Sequence, residues 1–298
     1  MAQASPARRR GLTLLWLWNP ALLLMFVVDA HNDVLMILWQ LVAIGCWRRE
    51  RPLLTLLFLL LGALTKPIGL LPLPFFAVAI WQQSENSGAR LRLFGWATVL
   101  GGTAVFLSFL PFGSPADLLV RLVREASGGP GFSLATLLIL IFAQLRVPIT
   151  PEFIDGVGNL FRVPFGLLGL WLIWVGWRNG RSPLKPAADI LAAYSLQALS
   201  FRLWYSTWVF PWLLLDEASA DAALSFRLRV GLWFLLTVQL SVLIYGHLRT
   251  YLLGGSQLAA HLIGIPFVFG LPLLLAGRGH FMTQIAFFDA ATKKGQSQ

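Results

Sequence analysis

Charged residues fall in short clusters along this chain, and between them run long stretches without a single Asp, Glu, Lys or Arg. A helix needs about 20 apolar residues to cross the hydrocarbon core of a bilayer, so several stretches suffice alone and others must be short, tilted or shielded. Hydrophobic residues make up 57% of the 298 residues and charged residues 12%, which excludes a water-soluble globule. The sequence predicts an all-α, polytopic integral membrane helical bundle. The uncharged stretches are 11–28, 34–47, 52–65, 67–84, 93–116, 126–145, 163–177, 190–201, 203–215, 230–248 and 250–277.

The placement of Lys and Arg predicts the topology of about ten transmembrane helices. If Arg8 to Arg10 are cytoplasmic and the helices alternate, 16 of the 23 basic residues fall on the cytoplasmic side. We expect a multi-pass protein of the bacterial inner (plasma) membrane. The net charge of +10 is spread between apolar stretches rather than along one face, so no nucleic-acid partner is predicted. The basic residues left on the outer side are Lys66, Arg121, Arg124, Arg146, Arg162, Arg202 and Arg249.

One apolar segment must not cross the membrane for this count to hold. Residues 133–145 lie between Gly/Pro-rich flanks and are short, which favours a re-entrant or interfacial piece. We expect residues 1–298 to form a single membrane-embedded domain, with residues 287–298 as a disordered cytoplasmic tail. The lone Cys46 excludes an internal disulfide and a cysteine-based metal cluster.

A cluster of polar residues separates the first two uncharged stretches. Asp29, His31, Asn32 and Asp33 crowd the tip of a predicted helical hairpin. Asn32 or Asp33 could simply cap the next helix. However, residues 34–47 form a helix of about 21 Å, shorter than the core, so the Asp33 end is expected below the outer surface. Carboxylates at that depth indicate function, and Asp33, Asp29 and His31 are candidate catalytic residues, with Asn32 a candidate for substrate binding.

Lys66 follows another uncharged run of similar length and is recessed by the same reasoning. A lysine that snorkels to the interface is the alternative. Because Asp29 and Asp33 are expected at comparable depth, an ion pair or an anion site is favoured. Pro67 and the prolines after it predict a helix that is broken near this cavity.

The third polar feature is Arg202, which aromatic residues surround in the sequence. An aromatic belt at the membrane interface is the alternative interpretation of this segment. The guanidinium of Arg202 could instead bind phosphate oxygens while Trp204 and Tyr205 stack on a sugar or isoprenoid. Arg121 and Arg124 could contact the same anion or lipid head groups, so all five are candidates for substrate binding.

Several short motifs occur in the order seen in a family of membrane enzymes. They are Asn19-Pro20-Ala21-Leu22, the turn from Ala30 to Met36, Ala63-Leu64-Thr65-Lys66-Pro67, and Trp204-Tyr205 with Trp208 and Pro211. Over about residues 19–212 the chain resembles the GT-C glycosyltransferases. The branch that it resembles is that of the polyprenol-phosphate-mannose-dependent mannosyltransferases and glycosyltransferase family 87.

The resemblance implies a transferase that moves a hexose, mannose in this branch, from a polyprenyl-phosphate carrier to a lipid-linked or glycan acceptor. The reaction would take place on the extracytoplasmic side and invert the anomeric centre. No cofactor is implied, and the sequence leaves a divalent metal requirement open. The implied partners are membrane lipid, the polyprenyl-phosphate-linked sugar and the acceptor.

The chain also departs from the family, which begins with a further helix and an outer loop that carries its principal catalytic Asp. Nothing before Gly11 matches either of them. We therefore expect the chain to lack this front, and a second polypeptide could supply it. Two other functions stay open: a lipid-linked-sugar flippase or small-solute transporter, and a non-catalytic subunit of a split glycosyltransferase.

Overall fold

A computed structural model describes residues 6–84, 86–112, 117, 120, 131–180, 182–217 and 224–278 of the chain. These residues are mostly helical and include no strand, which confirms the all-α class. The chain divides into two compact units, Leu14–Trp212 and Met1–Thr13 with Leu213–Gln298. The single domain over residues 1–298 stays a prediction, and the tail at residues 287–298 lies outside the described residues.

The larger unit holds most of the helices. Helix α1 (Pro6–Leu17) and helix α10 (Tyr205–Glu217) each have residues in both units. The other elements of the larger unit are α2 (Pro20–Leu23), a π-helical turn (Leu24–Val28), α3 (Asp33–Arg48), α4 (Pro52–Thr65), a 3-10 turn (Pro67–Leu70), α5 (Leu73–Gln83), α6 (Ser87–Phe109), a 3-10 turn (Leu110–Phe112), α7 (Leu134–Gln144), α8 (Pro151–Asn179) and α9 (Leu184–Gln197).

The smaller unit contains two long helical segments that each pass through a π-helical turn. The first is α11 (Phe226–Val242), the turn Leu243–Leu248 and α12 (Arg249–Tyr251); the second is α13 (Gln257–Ile265) followed by the turn Pro266–Gly270. The two segments pack together, since the ring of Tyr245 meets that of His261 at 5.1 Å and Thr237 Oγ1 donates to the Val268 carbonyl.

Within the described residues, four helical segments are long and apolar enough to cross a membrane: Ser87–Phe112, Pro151–Asn179, Phe226–Tyr251 and Gln257–Arg278. Arg9–Leu17 and Pro20–Val28, bent by 40°, could together form one more. In the first two segments only 6% of the most apolar window is buried by protein, so their apolar side chains require lipid as solvent. The helices thus support association with a membrane, while the count of ten spans stays a prediction.

Helix α7 corresponds to the segment predicted to be re-entrant or interfacial. It begins at the capping residue Ser133 and has 11 residues. Its length of about 16 Å is less than the thickness of the hydrocarbon core. How α7 meets the membrane stays a prediction.

The predicted helix break at Lys66 is present. Helix α4 ends at Thr65, and Lys66 has an extended backbone with φ −154° and ψ 124°. The 3-10 turn that follows folds tightly against α4, since a Cβ atom at Gly69 would lie 2.7 Å from the carbonyl carbon of Gly62. Only glycine allows this approach, which keeps Lys66 at the end of α4.

The start of α3 differs from simple helix capping. The π-helical turn Leu24–Val28 leads through Ala30, which has a positive φ of 51°, to α3. Asn32 precedes the helix, but its side chain makes no capping hydrogen bond. The structure therefore does not support the alternative in which the Asn32 side chain caps this helix, and the side chain of Asp33 has other partners.

Candidate active site

Asp33 is the centre of a buried polar cluster in the larger unit. Its side chain is 0% exposed, and Lys66 Nζ donates to both carboxylate oxygens, at 2.7 Å and 2.8 Å. The indole nitrogen of Trp208 donates to Oδ1 as well. A buried carboxylate is stable only if its charge is paired and its lone pairs are occupied, and this arrangement does both.

His31 lies beside the same carboxylate. Its Nδ1 atom is 3.5 Å from Asp33 Oδ2, and the side chain is 24% exposed. The imidazole ring packs on the indole of Trp204 with ring centroids 4.0 Å apart. His31 is thus held between a carboxylate and an aromatic face, with part of its ring accessible.

Aromatic rings line the other side of the ammonium group. Lys66 Nζ lies 5.8 Å from the ring centroid of Trp204 and 5.4 Å from that of Trp208. Both distances are within the range of cation–π attraction. Tyr205 stacks on Trp208 with centroids 4.0 Å apart and rings 26° from parallel. The predicted aromatic segment therefore forms one wall of the site.

Hydrogen bonds fix the loop that leads into this wall. Ser133, which is fully buried, donates from Oγ to the Leu199 carbonyl at 2.7 Å, and Thr136 Oγ1 donates to the same oxygen at 3.2 Å. The backbone N–H of Gly131 is a third donor to that oxygen, at 3.2 Å. Helix α7 therefore anchors the segment between α9 and α10 that carries Trp204.

The structure brings together five of the predicted site residues: Asp33, His31, Lys66, Trp204 and Tyr205. Three others contribute no side-chain hydrogen bond or ion pair to the cluster. The side chains of Asp29, Asn32 and Arg202 are exposed, and among the described residues they form no ion pair with one another or with the cluster. Arg121 and Arg124 lie outside the described residues.

Two further aromatic contacts belong to the site but were not among the predicted residues. Trp208 bonds Asp33, and one helical turn later Trp212 Nε1 donates to Gln40 Oε1 at 3.2 Å. Asp33 and Gln40 are seven residues apart, so they occupy the same face of α3. Two polar residues on one face of an apolar helix are the sequence signal that points to such a partner helix. All four side chains are at most 1% exposed.

The cluster combines an ammonium group, a histidine oriented by a carboxylate, and an unsatisfied donor. Among the described residues, the buried indole nitrogen of Trp204 has no hydrogen-bond partner. Such a site can hold an anion and move a proton. No three His, Cys, Asp or Glu side chains of the described residues form a group that could hold a metal ion.

A family comparison supports the class of enzyme that this site suggests. Residues 1–82 match the model of the MptA_B family, described as alpha-(1->6)-mannopyranosyltransferase, N-terminal domain. This result confirms the resemblance to a mannosyltransferase family, is consistent with the GT-C type, and supports a mannosyltransferase-type glycosyltransferase. The matched segment contains His31, Asp33 and Lys66. Neither a curated protein nor a solved structure gives a match.

Proposed function

We propose that this protein is a membrane mannosyltransferase that takes mannose from a polyprenyl-phosphate carrier. The acceptor is a lipid-linked or glycan hydroxyl on the extracytoplasmic side of the inner membrane. The observation that carries the proposal is the cluster of His31, Asp33 and Lys66, which lies within the segment that matches a mannosyltransferase family.

The reaction is a single displacement at the anomeric carbon. The acceptor oxygen forms a bond to C1 as the bond from C1 to the phosphate oxygen breaks, and the hydroxyl proton passes to a base. Polyprenyl phosphate leaves with one more negative charge than it had as the sugar ester. Attack from the opposite face inverts the configuration at C1.

His31 is the proposed base, with Asp33 as the residue that positions it. Asp33 is fully buried, so its carboxylate cannot reach an acceptor hydroxyl without rearrangement. His31 is partly exposed and has Nδ1 near Asp33 Oδ2, which leaves the other ring nitrogen for the acceptor. A carboxylate at this position favours the tautomer with the proton on Nδ1 and stabilises the charged imidazolium.

Lys66 and Trp204 are the proposed groups that hold the leaving phosphate. Asp33 occupies part of the hydrogen-bonding capacity of the ammonium group, and the side chain of Lys66 remains 26% exposed. The indole of Trp204 lies beside it, and its unpartnered N–H is a neutral donor that, being buried like Asp33, reaches the phosphate only after a side-chain rearrangement on binding. Both groups would stabilise charge that develops on the phosphate in the transition state.

The test is mannosyl transfer from a polyprenyl-phosphate mannose donor by membranes that contain the full chain and any partner it needs. We expect His31→Gln and Lys66→Met each to lower the rate by about 100-fold or more. His247→Gln and Lys185→Met are the matched controls, since both residues are exposed, and should retain activity. Full activity in both site variants would contradict the assignment of the site.

Transport is the competing function that the same assay can separate. If proteoliposomes move a lipid-linked sugar across the bilayer and no glycosidic bond forms with any acceptor, the protein is a flippase. Product analysis by NMR also checks the stereochemistry, because the proposal requires inversion at C1.

A further inference from the structure

Two arginine–tryptophan cation–π pairs lie at the end of the larger unit where α5 ends. Arg90, near the start of α6, places Cζ 5.5 Å from the ring centroid of Trp81, the antepenultimate residue of α5. Arg178, near the end of α8, places Cζ 5.4 Å from the ring centroid of Trp174. Trp174 and Arg178 are four residues apart and therefore share one face of α8.

A direct hydrogen bond joins the helix ends at which the two arginine–tryptophan pairs lie. Gln82, which follows Trp81, donates from Nε2 to the carbonyl of Trp177, which precedes Arg178. Trp81 is fixed on its other side by an edge contact with Phe94, at 5.5 Å between ring centroids. This bond joins the end of α5, against which Arg90 lies, to the end of α8 that carries Arg178.

The charge of this pair is not neutralised within the described part of the chain. Arg90 donates from Nε to the Ser84 carbonyl at 2.6 Å, and no described carboxylate forms an ion pair with Arg90 or Arg178. Trp174 and Trp177 are 54% and 50% exposed. Exposed tryptophans next to arginines are typical of the depth at which lipid head groups lie.

We propose that Arg90 and Arg178, each supported by its tryptophan, form a binding site for the phosphate of an anionic phospholipid. A guanidinium fork matches two phosphate oxygens, and cation–π attraction to an indole restrains the arginine side chain before the phosphate binds. The lipid-facing surface of α8 gives the acyl chains an apolar surface to lie on. This site is separate from the cluster at Asp33, and the proposal does not depend on the reaction proposed above.

The test is native mass spectrometry of the full-length protein in detergent with added phosphatidylglycerol or phosphatidylcholine. We expect phosphatidylglycerol to remain bound to the unaltered protein, and Arg90→Gln with Arg178→Gln to reduce the bound fraction about tenfold or more. Arg162→Gln is the matched control, because Arg162 is an exposed arginine on α8 about 24 Å from Arg178 and should leave binding unchanged.

Three results would overturn the proposal. They are equal binding of phosphatidylglycerol by the double variant, equal binding of phosphatidylcholine by the unaltered protein, and displacement of the lipid by millimolar inorganic phosphate, which would indicate a site for a free anion. An unchanged melting temperature of the double variant without lipid confirms that any loss of binding is local.

Discussion

At the scale of single residues, the pairing of Asp33 explains how a charged group is tolerated in an apolar helix. The carboxylate accepts hydrogen bonds from Lys66 and Trp208, and its neighbour His31 is held by contact with Trp204. Removal of one partner from such a cluster lowers the free energy of unfolding more than removal of both, because an unpaired buried charge remains. Stability and activity can therefore be separated by the choice of substitution.

The variant Asp33→Asn should lower the free energy of unfolding by about 2 kcal/mol, because the ammonium group of Lys66 loses its counter-charge. The double variant Asp33→Asn with Lys66→Met removes both charges and should recover most of that loss. Neither protein should transfer mannose. Unfolding in SDS measures stability. Equal stability of the single and double variants would show that the charges of Asp33 and Lys66 do not stabilise each other.

The variant Trp208→Phe keeps an aromatic ring and removes only the N–H donor to Asp33. We expect a fall in kcat of about tenfold with little change in KM for the sugar donor, because a hydrogen bond to a charged group is worth about 1.5–3 kcal/mol. Trp171→Phe on α8, where the ring is 54% exposed, is the matched control. A change in KM alone would argue against a role for Trp208 in positioning the carboxylate.

At the scale of elements, the break between α4 and α5 determines where Lys66 lies. The 3-10 turn Pro67–Leu70 packs its Gly69 against the backbone of Gly62, and this contact returns the chain over the end of α4. A second anchor, the three hydrogen bonds to the Leu199 carbonyl, holds the loop before α10. Both sides of the site are therefore fixed by contacts to the backbone that lie close to the functional side chains.

The variant Gly69→Ala should be destabilised by about 1–3 kcal/mol, because its Cβ would overlap the backbone of Gly62. Gly45→Ala lies in the interior of α3 with no atom within 4 Å of the new Cβ, so it should be neutral or slightly stabilising. Thermal unfolding of both variants measures the difference. Similar melting temperatures would show that the 3-10 turn shifts to accept the Cβ atom without loss of stability.

Sequence patterns predicted the helix break at Lys66 but not the path of the chain into α3. The break at Lys66 followed from Pro67, because proline excludes a continuous helix. The alternative of capping by Asn32 is not supported, because its side chain makes no capping hydrogen bond; a π-helical turn and the positive φ of Ala30 bring the chain into α3. Local sequence does not reveal such a path, because the turn depends on the packing of the preceding helix.

At the scale of the whole molecule, apolar composition and basic clusters predict a multi-pass membrane protein. In the part of the chain that the structure describes, four segments have the length and hydropathy of membrane spans, and shorter apolar helices accompany them. Short helices can lie at membrane depth only where protein or water satisfies their ends. The number of crossings and the side on which the site opens are therefore questions for experiment.

Substituted-cysteine labelling in a Cys46→Ser background should place Asn32→Cys and Leu70→Cys on the same, extracytoplasmic face. Glu50→Cys, at the other end of α3, should react only after the cytoplasmic side is opened. Membrane-impermeant maleimide applied to intact cells makes the measurement. Labelling of positions 32 and 70 from opposite faces would exclude a common site for His31 and Lys66.

The sequence by itself determined that this protein is helical, that lipid is its solvent and that polar residues gather around His31, Asp33 and Lys66, because charge and hydropathy are local properties. Only the tertiary structure decided which of these groups meet. Lys66 is 33 residues and Trp208 175 residues from Asp33, and their contact depends on how α4 and α10 pack against α3. The same packing leaves Asp29, Asn32 and Arg202 exposed, although their residue types suit the chemistry equally well.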